Sequence, residues 1–324
     1  MRVLVTGGAG YVGSHMVKTL LDDGHHVVVL DDLSTGHRDA VLPRATFVQG
    51  DVAATDDVRA LLRDERIDAV VHFAAKIRVE ESVSDPRLYW NRNLVATLAL
   101  VDAVLTRPVP FVFSSTAAVY GDPQTVPIDE QHPKRPVNPY GDTKLAIELA
   151  LAAYGAAFRL PWMALRYFNA AGADPEAGLG ERHEPESHLI PIAIEAALGK
   201  RRSLSLYGSD WPTRDGSCVR DYVHVLDLAD AHLAALHHLA KSGESGALNL
   251  GTGHGHSVRE VISSVERVSG LTIPVVEAPR RAGDPAALVA NVDRAKHVLG
   301  WAARRAELDT IVRDAWSFAS LRAR

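Results

Sequence analysis

The chain has 324 residues, 47% of them hydrophobic and 23% charged, and a formal net charge of −5 with His neutral. That is enough apolar material for a large core in one or two domains, and the absence of any long basic run excludes nucleic acid as a partner. The single cysteine, Cys218, rules out an intramolecular disulfide and suits a reducing compartment, so the cytoplasm is the expected location.

The apolar start runs at once into a glycine turn, too short for a signal peptide. No stretch approaches ~18 uninterrupted apolar residues, so no membrane span is expected. A strand over 3–5 leads into Thr6-Gly7-Gly8-Ala9-Gly10-Tyr11-Val12-Gly13, which opens a helix reaching about residue 23. Gly7, Gly10 and Gly13 permit a tight turn and close approach of backbone to a pyrophosphate, with Tyr11 and Val12 in the first helical turn facing the phosphates. A second strand over 26–30 ends in Asp31-Asp32, and Asp31 lies 31 − 13 = 18 residues beyond the last glycine. A carboxylate there accepts from a ribose 2′-OH and repels a 2′-phosphate, which favours NAD over NADP.

Further short β-branched runs fall at 46–48, 69–73, 111–113 and 163–167, with helical patterns between them. This alternation implies βαβ units and a doubly wound, parallel Rossmann sheet. A Gly/Pro-rich stretch over 170–191 breaks the pattern and marks a domain boundary. An amphipathic helix over 227–241 and a buried strand over 247–250 then return to the large sheet. The fold class is therefore α/β, a Rossmann sheet with a smaller C-terminal α/β substrate-binding domain. Residues 1–169 with about 225–250 form the dinucleotide domain, and about 170–224 with 251–324 the second. There is no internal repeat or low-complexity tract.

In Tyr140-Gly141-Asp142-Thr143-Lys144, with Pro139 in the first turn of an expected helix, the Tyr and Lys are at i and i+4 and share one face. An ammonium beside a phenol favours the phenolate, drawing its pKa below the usual ~10 and suiting it to general-base work. Lys144 is also placed to hold the nicotinamide ribose. Upstream, an apolar strand ends in Ser114-Ser115-Thr116, and strand C-termini are where α/β sheets place ligands.

With Ser14-His15, Gly50-Asp51-Val52, His72-Phe73-Ala74-Ala75, Arg166-Tyr167-Phe168-Asn169 and the stretch 216–229 added, the chain resembles the UDP-glucose 4-epimerase family, of extended short-chain dehydrogenase/reductase type, over nearly its whole length. The resemblance implies an NAD-dependent isomerase: Tyr140 takes the 4′-OH proton while hydride passes to bound NAD, and the 4-keto sugar turns over and is reduced on its other face. By resemblance Lys144 assists Tyr140, and Thr116 bridges Tyr140 and the sugar O4. Asp31, Asp32, Asp51, Val52 and Asn93 contact the cofactor, as do Phe73, Ala74, Ala75, Ser114, Tyr167 and Phe168. Asn169, His188, Leu189, Ser205 and Tyr207 hold the UDP-hexose together with Arg220, Arg281, Asp284 and Leu288. Arg suits the diphosphate because its fork of donors matches phosphate oxygens. Family members are commonly dimers joined through a helical bundle on the large domain, so a homodimer is expected.

Three departures bear on this. Lys76 precedes Ile77, where members carry Lys, so Lys76 is assigned no cofactor contact. His188 stands where some members have Asn, and Leu288 occupies a position whose size bears on an N-acetyl group. UDP-N-acetylglucosamine and UDP-glucuronate therefore stay open beside UDP-glucose and UDP-galactose. A nucleotide-sugar 4,6-dehydratase is disfavoured, since Ala117-Ala118 stand where those enzymes carry Asp-Glu. A non-catalytic NAD-binding regulator would have no need of Tyr140 and Lys144. His183-Glu184-Pro185-Glu186-Ser187-His188 has its histidines five apart around a proline, which defeats i, i+4 ligation on a helix, so no metal site is expected. His25-His26 and His237-His238 read as packing or solvent-facing residues, and Cys218 lacks the neighbours of a nucleophile.

Overall fold

The computed structural model describes residues 1–242, 244–281 and 283–322. Its strands are β1 (Arg2–Thr6), β2 (His26–Asp31), β3 (Thr46–Gln49), β4 (Ala69–His72), β5 (Phe111–Thr116), β6 (Trp162–Tyr167), β7 (Asn169–Ala171), β8 (Leu204–Tyr207), β9 (Val219–Arg220), β10 (Tyr222–His224), β11 (Gly246–Leu250), β12 (His256–Ser257), β13 (Val275–Ala278) and β14 (Ala287–Leu288). The helices are α1 (Tyr11–Asp22), α2 (Thr55–Asp64), α3 (Val79–Ser84), α4 (Pro86–Tyr89), α5 (Ala96–Val104), α6 (Pro139–Phe158), α7 (Leu189–Ala197), α8 (Val225–Ser242), α9 (Val258–Ser269), α10 (Asp293–Leu299) and α11 (Leu308–Leu321). None of the described helices is long and apolar enough to cross a membrane.

Seven strands form one sheet in the order β11-β6-β5-β4-β1-β2-β3, and every pairing in it is parallel. Successive side chains on a strand face opposite sides. Val3 and Val5 accordingly enter the core beneath α1 and α8, with Met16, Leu20, Leu228 and Leu236. Leu4 points the other way, into the core formed with Val58, Leu100, Ile147 and Leu151 of α2, α5 and α6. Burial on both faces is what continuous β-branched runs are suited to. The strand order reverses between β1 and β4, which opens a crevice at their C-terminal ends, the place where such sheets bind ligands.

The expected helix over 227–241 and strand over 247–250 are α8 and β11, and β11 pairs with β6 at the sheet edge. The Gly/Pro-rich stretch keeps regular structure only at its ends, in β7 and α7. Beyond it, β7 pairs with β10, β9 with β12 and β14, and β8 with β13. Helices α7, α9 and α11 enclose a separate core around Ile194, Val261, Val265, Ile311 and Val312.

One polar knot crosses the large sheet. Arg166 on β6 meets Glu148 on α6 through Nε at 2.9 Å and Nη2 at 2.5 Å, and its Nη1 donates to the Tyr120 hydroxyl at 2.8 Å. Ser115 on β5 donates to the same Glu148 at 2.6 Å, and Tyr120 donates to Asn249 on β11 at 2.6 Å. Arg166 and Glu148 are 3% and 5% exposed, so each charge depends on the other. Glu148→Ala is expected to cost about 3–5 kcal/mol of stability in urea denaturation. A loss under ~1 kcal/mol would mean that the knot does not hold the sheet and α6 together.

Candidate active site

The turn from β1 into α1 leaves no room for side chains. A Cβ on Gly13 would stand 2.1 Å from the Gly7 carbonyl oxygen, and Gly7, at φ +70°, would drive one to 2.6 Å from the Ala74 amide nitrogen. Gly10 caps α1 without a side-chain hydrogen bond, so the first-turn amides of Tyr11, Val12 and Gly13 face outward as an anion-binding helix end. Phe73, Ala74 and Ala75 follow β4 directly across from this turn.

Asp31 closes β2, its carboxylate accepting from Ala9 N and Leu33 N, each at 2.9 Å. Burial raises its pKa and those two amides oppose the rise. Asp32 accepts from Ser34 N at 2.8 Å. A steric cradle, a helix end and a carboxylate at the neighbouring strand terminus together fit a dinucleotide.

Two of the expected cofactor residues also make contacts within the protein. Asp51, beside Val52, pairs with Arg92 at 2.8 Å at the surface. Asn93, fully buried, accepts from Lys76 N at 2.8 Å and donates to Lys76 O at 3.0 Å, so it shapes the segment after Ala75 through the backbone.

Asn138 accepts from Gly141 N at 2.9 Å and starts α6, with Pro139 at its first position, where the missing N–H costs nothing. Lys144, 2% exposed, donates from Nζ to the Ser114 carbonyl at 2.8 Å, with Nζ 4.8 Å from the Phe113 ring centroid and 5.9 Å from that of Tyr140. Burial brings the Lys144 pKa down to about 7, against the upward pull of Glu148 one turn further on.

The Tyr140 phenol departs from the expectation drawn from spacing. Burial raises its pKa, and the nearby Thr116 hydroxyl opposes the rise. Lys144 spends its ammonium on a carbonyl, and Thr116, whose Oγ1 accepts from Ala118 N at 3.1 Å, is left with its own hydrogen to donate. Tyr89 packs edge-on to Tyr140, with ring centroids 6.4 Å apart.

The Tyr167 hydroxyl lies 2.9 Å from His232 Nε2, and the His232 ring is 4.8 Å from Phe73. The Tyr11 hydroxyl reaches across to the Gly172 carbonyl at 2.7 Å, tying the glycine turn to the segment after β7.

Asn169 lies on β7 and donates from its backbone to Asp221 O at 2.9 Å. Ser205 and Tyr207 share the exposed face of β8, and the Arg281 guanidinium stacks 4.0 Å above the Tyr207 ring. Arg281 Nη1 also lies 3.7 Å from Glu80 on α3. Arg220 is in register with Leu288 across β9 and β14, and its Nη2 stands 3.6 Å from Asp284. Leu288 and Phe168 both pack against the cluster of Ala117, Val119, Tyr120 and Ile128.

Leu189 opens α7, but His188 before it turns Nδ1 toward Glu181, at 2.5 Å. The exclusion of metal chemistry rested on helical spacing, and that premise does not apply: 181–188 is a loop, and it brings donor atoms of Glu181, His183, Glu186 and His188 within 4.8 Å of one another.

Several participants escape sequence reasoning. His72, between the hydroxyls of Thr6 at 2.6 Å and Thr97 at 2.8 Å, has its pKa pushed down to about 3 by burial and by Lys144. His232, Phe113 and Tyr89 join the site by tertiary packing alone. The Asn138-Pro139 pair carried a readable capping signal.

The model of the NAD dependent epimerase/dehydratase family matches residues 3–251. The UDP-glucose 4-epimerase of Halalkalibacterium halodurans is 49% identical over 98% of this chain and 95% of its own length, and that of Corynebacterium glutamicum 49% over 99% and 96%. Among solved structures, the Brucella ovis UDP-glucose 4-epimerase in complex with NAD superposes at a TM-score of 0.95, with 47% identity and 97% of each chain covered. The Bifidobacterium longum UDP-glucose 4-epimerase in complex with NAD+ and UDP gives 0.94, with 36% identity over 100% of this chain and 99% of that one.

Gly13→Ala is expected to weaken NAD binding by about 10²-fold or more in calorimetric titration while circular dichroism stays unchanged, because the new methyl displaces the phosphate-facing turn. Parental affinity would show that the turn is not the phosphate cradle.

Proposed function

The chain belongs to the NAD dependent epimerase/dehydratase family, and from that premise we propose that it is an isomerase interconverting UDP-glucose and UDP-galactose with NAD as its resident cofactor. The observation that carries the reading is the buried Tyr140 phenol one helical turn from Lys144, whose ammonium is fixed on the Ser114 carbonyl near the C-terminal end of β5, in a sheet whose first turn is shaped as a dinucleotide cradle.

Bound NAD supplies the acceptor, and then the donor, of the hydride at the sugar C4. Tyr140 removes the O4 proton and later returns it, so the same phenol serves as base and acid. Thr116 bridges the phenol and O4, and its donated hydrogen bond steadies the phenolate. Lys144, fixed by the Ser114 carbonyl, supplies the local positive charge and a donor for the nicotinamide ribose. Rotation of the 4-keto sugar between the two proton transfers gives the C4 epimer without net redox change.

In this reading residues 1–169 with about 225–250 hold the cofactor, Asp31 taking the adenosine ribose, while about 170–224 with 251–324 hold the UDP-sugar. Arg220 and Arg281 serve the diphosphate, the second already braced by Tyr207. Asn169, Leu189, Ser205 and Asp284 complete the nucleotide contacts. His188 contributes only through the edge away from Glu181, and Leu288 borders the sugar. A homodimer is part of the proposal, supported by Val95, Leu149 and Phe158, exposed apolar residues on and beside α5 and α6. A cytoplasmic location accords with one unpaired, buried cysteine.

Purified protein given UDP-galactose and no added NAD is expected to yield UDP-glucose without stoichiometric NADH, and Tyr140→Phe to lower turnover by about 10² or more with the fold intact. Near-normal turnover in Tyr140→Phe would remove the phenol from the chemistry. Faster turnover of UDP-N-acetylglucosamine or UDP-glucuronate in the same assay would reassign the sugar.

A further inference from the structure

Between β7 and α7 the segment 181–188 forms a loop whose acidic and imidazole side chains all turn to one point. Glu181 Oε1 lies 3.0 Å from His183 Nδ1 and 2.5 Å from His188 Nδ1. Glu186 Oε1 lies 3.8 Å and 3.5 Å from the same two nitrogens. The carboxylate side chains are 6% and 5% exposed. Glu181 Oε1, His183 Nδ1 and His188 Nδ1 are buried and have no hydrogen-bond partner.

Two imidazolium–carboxylate pairs would place each Nδ1–H on an oxygen. Here the atoms are close enough, but the directions are wrong for hydrogen bonds. Donor atoms that converge without bonding one another are the arrangement of a coordination shell. Four arms of about 2.0–2.2 Å in a tetrahedron set neighbouring ligands about 3.3–3.6 Å apart. The contacts here, from 2.5 to 3.8 Å, bracket that spacing.

We infer that Glu181, His183, Glu186 and His188 form a structural zinc site. Two carboxylates and two neutral imidazoles give a net charge of −2 and a mixed N/O set, which suits Zn2+ and disfavours the all-oxygen shells of Mg2+ and Ca2+. Four protein ligands leave no open position, so the ion organises structure and does not activate water.

The surroundings have the character of an outer shell. Ser187 N at 2.7 Å and His188 N at 2.9 Å orient Glu186, and Tyr11 stands edge-on to His183 with ring centroids 6.3 Å apart. Arg182 makes a two-pronged bond to Asp39 at 2.8 and 2.9 Å, and its carbonyl contacts His37 Nε2 at 2.9 Å. The ion thereby fastens the start of α7, and Leu189 with it, to the cofactor domain. The site stands whichever sugar the enzyme turns over.

The test is elemental analysis of the full-length protein after loading with Zn2+ and gel filtration, alongside thermal unfolding with and without a chelator. The parent is expected to retain about one Zn2+ per chain, to lose about 5 °C or more of Tm on chelation, and to regain it with Zn2+. Glu181→Gln/His183→Ala is expected to retain less than about a tenth of an equivalent and to be indifferent to chelator. His237→Ala, which removes the other converging group of Asp23, His25 and His237, is expected to keep its zinc. A parent that elutes metal-free, a double variant with undiminished zinc, or loss of zinc from His237→Ala would each overturn the assignment. If the double variant does not fold, zinc X-ray absorption of the parent decides: two imidazoles with two carboxylates uphold it, and any other shell refutes it.

Discussion

A guanidinium and a carboxylate, both nearly withdrawn from solvent, determine where α6 lies on the sheet. Glu148 is bound by Arg166 of β6 and by Ser115 of β5, and it follows Lys144 and Tyr140 at four-residue steps along one helix face. Neither charge tolerates solitude in that interior, so the helix has one register available. In that register Lys144 reaches the Ser114 carbonyl near the end of the strand that also supplies Ser115, with Tyr140 one turn earlier on the same helix face. The groups proposed to handle the proton are therefore placed by an ion pair one turn away on the same helix.

Burial organises the site in the same way that it organises the core. It raises the Tyr140 phenol and lowers the Lys144 ammonium, opposite shifts from one cause, because each group is driven toward its neutral form. The glycine turn solves a different problem with the same economy: Gly7 and Gly13 omit side chains where a Cβ would strike backbone.

The sheet was legible because strands covered on both faces must be apolar throughout, so the runs at 3–5, 26–30 and 163–167 announce themselves. Tyr140 and Lys144 were legible because a helical step is a local rule and Pro139 marks where the helix begins. What escaped was non-local. Nothing near Asp51 in sequence shows that Arg92 claims it, and nothing near Asn93 shows that the Lys76 backbone does. The Tyr140 shift was misjudged for the same reason, since spacing shows which charge is near and not how dry the pocket is. The loop at 181–188 was measured against a helical template, and chain reversal brought its ligating atoms together without one.

The pH dependence of kcat/KM in the parent and in Thr116→Val decides whether the Thr116 hydroxyl holds the pKa of a buried phenol low enough for it to serve as a base. Because the working form is the phenolate, loss of the donated hydrogen bond raises the pKa of the base and moves the acid limb of the profile upward. A shift of about one pH unit is expected, with Thr116→Ser retaining the parental limb. An acid limb that stays in place in Thr116→Val would contradict it.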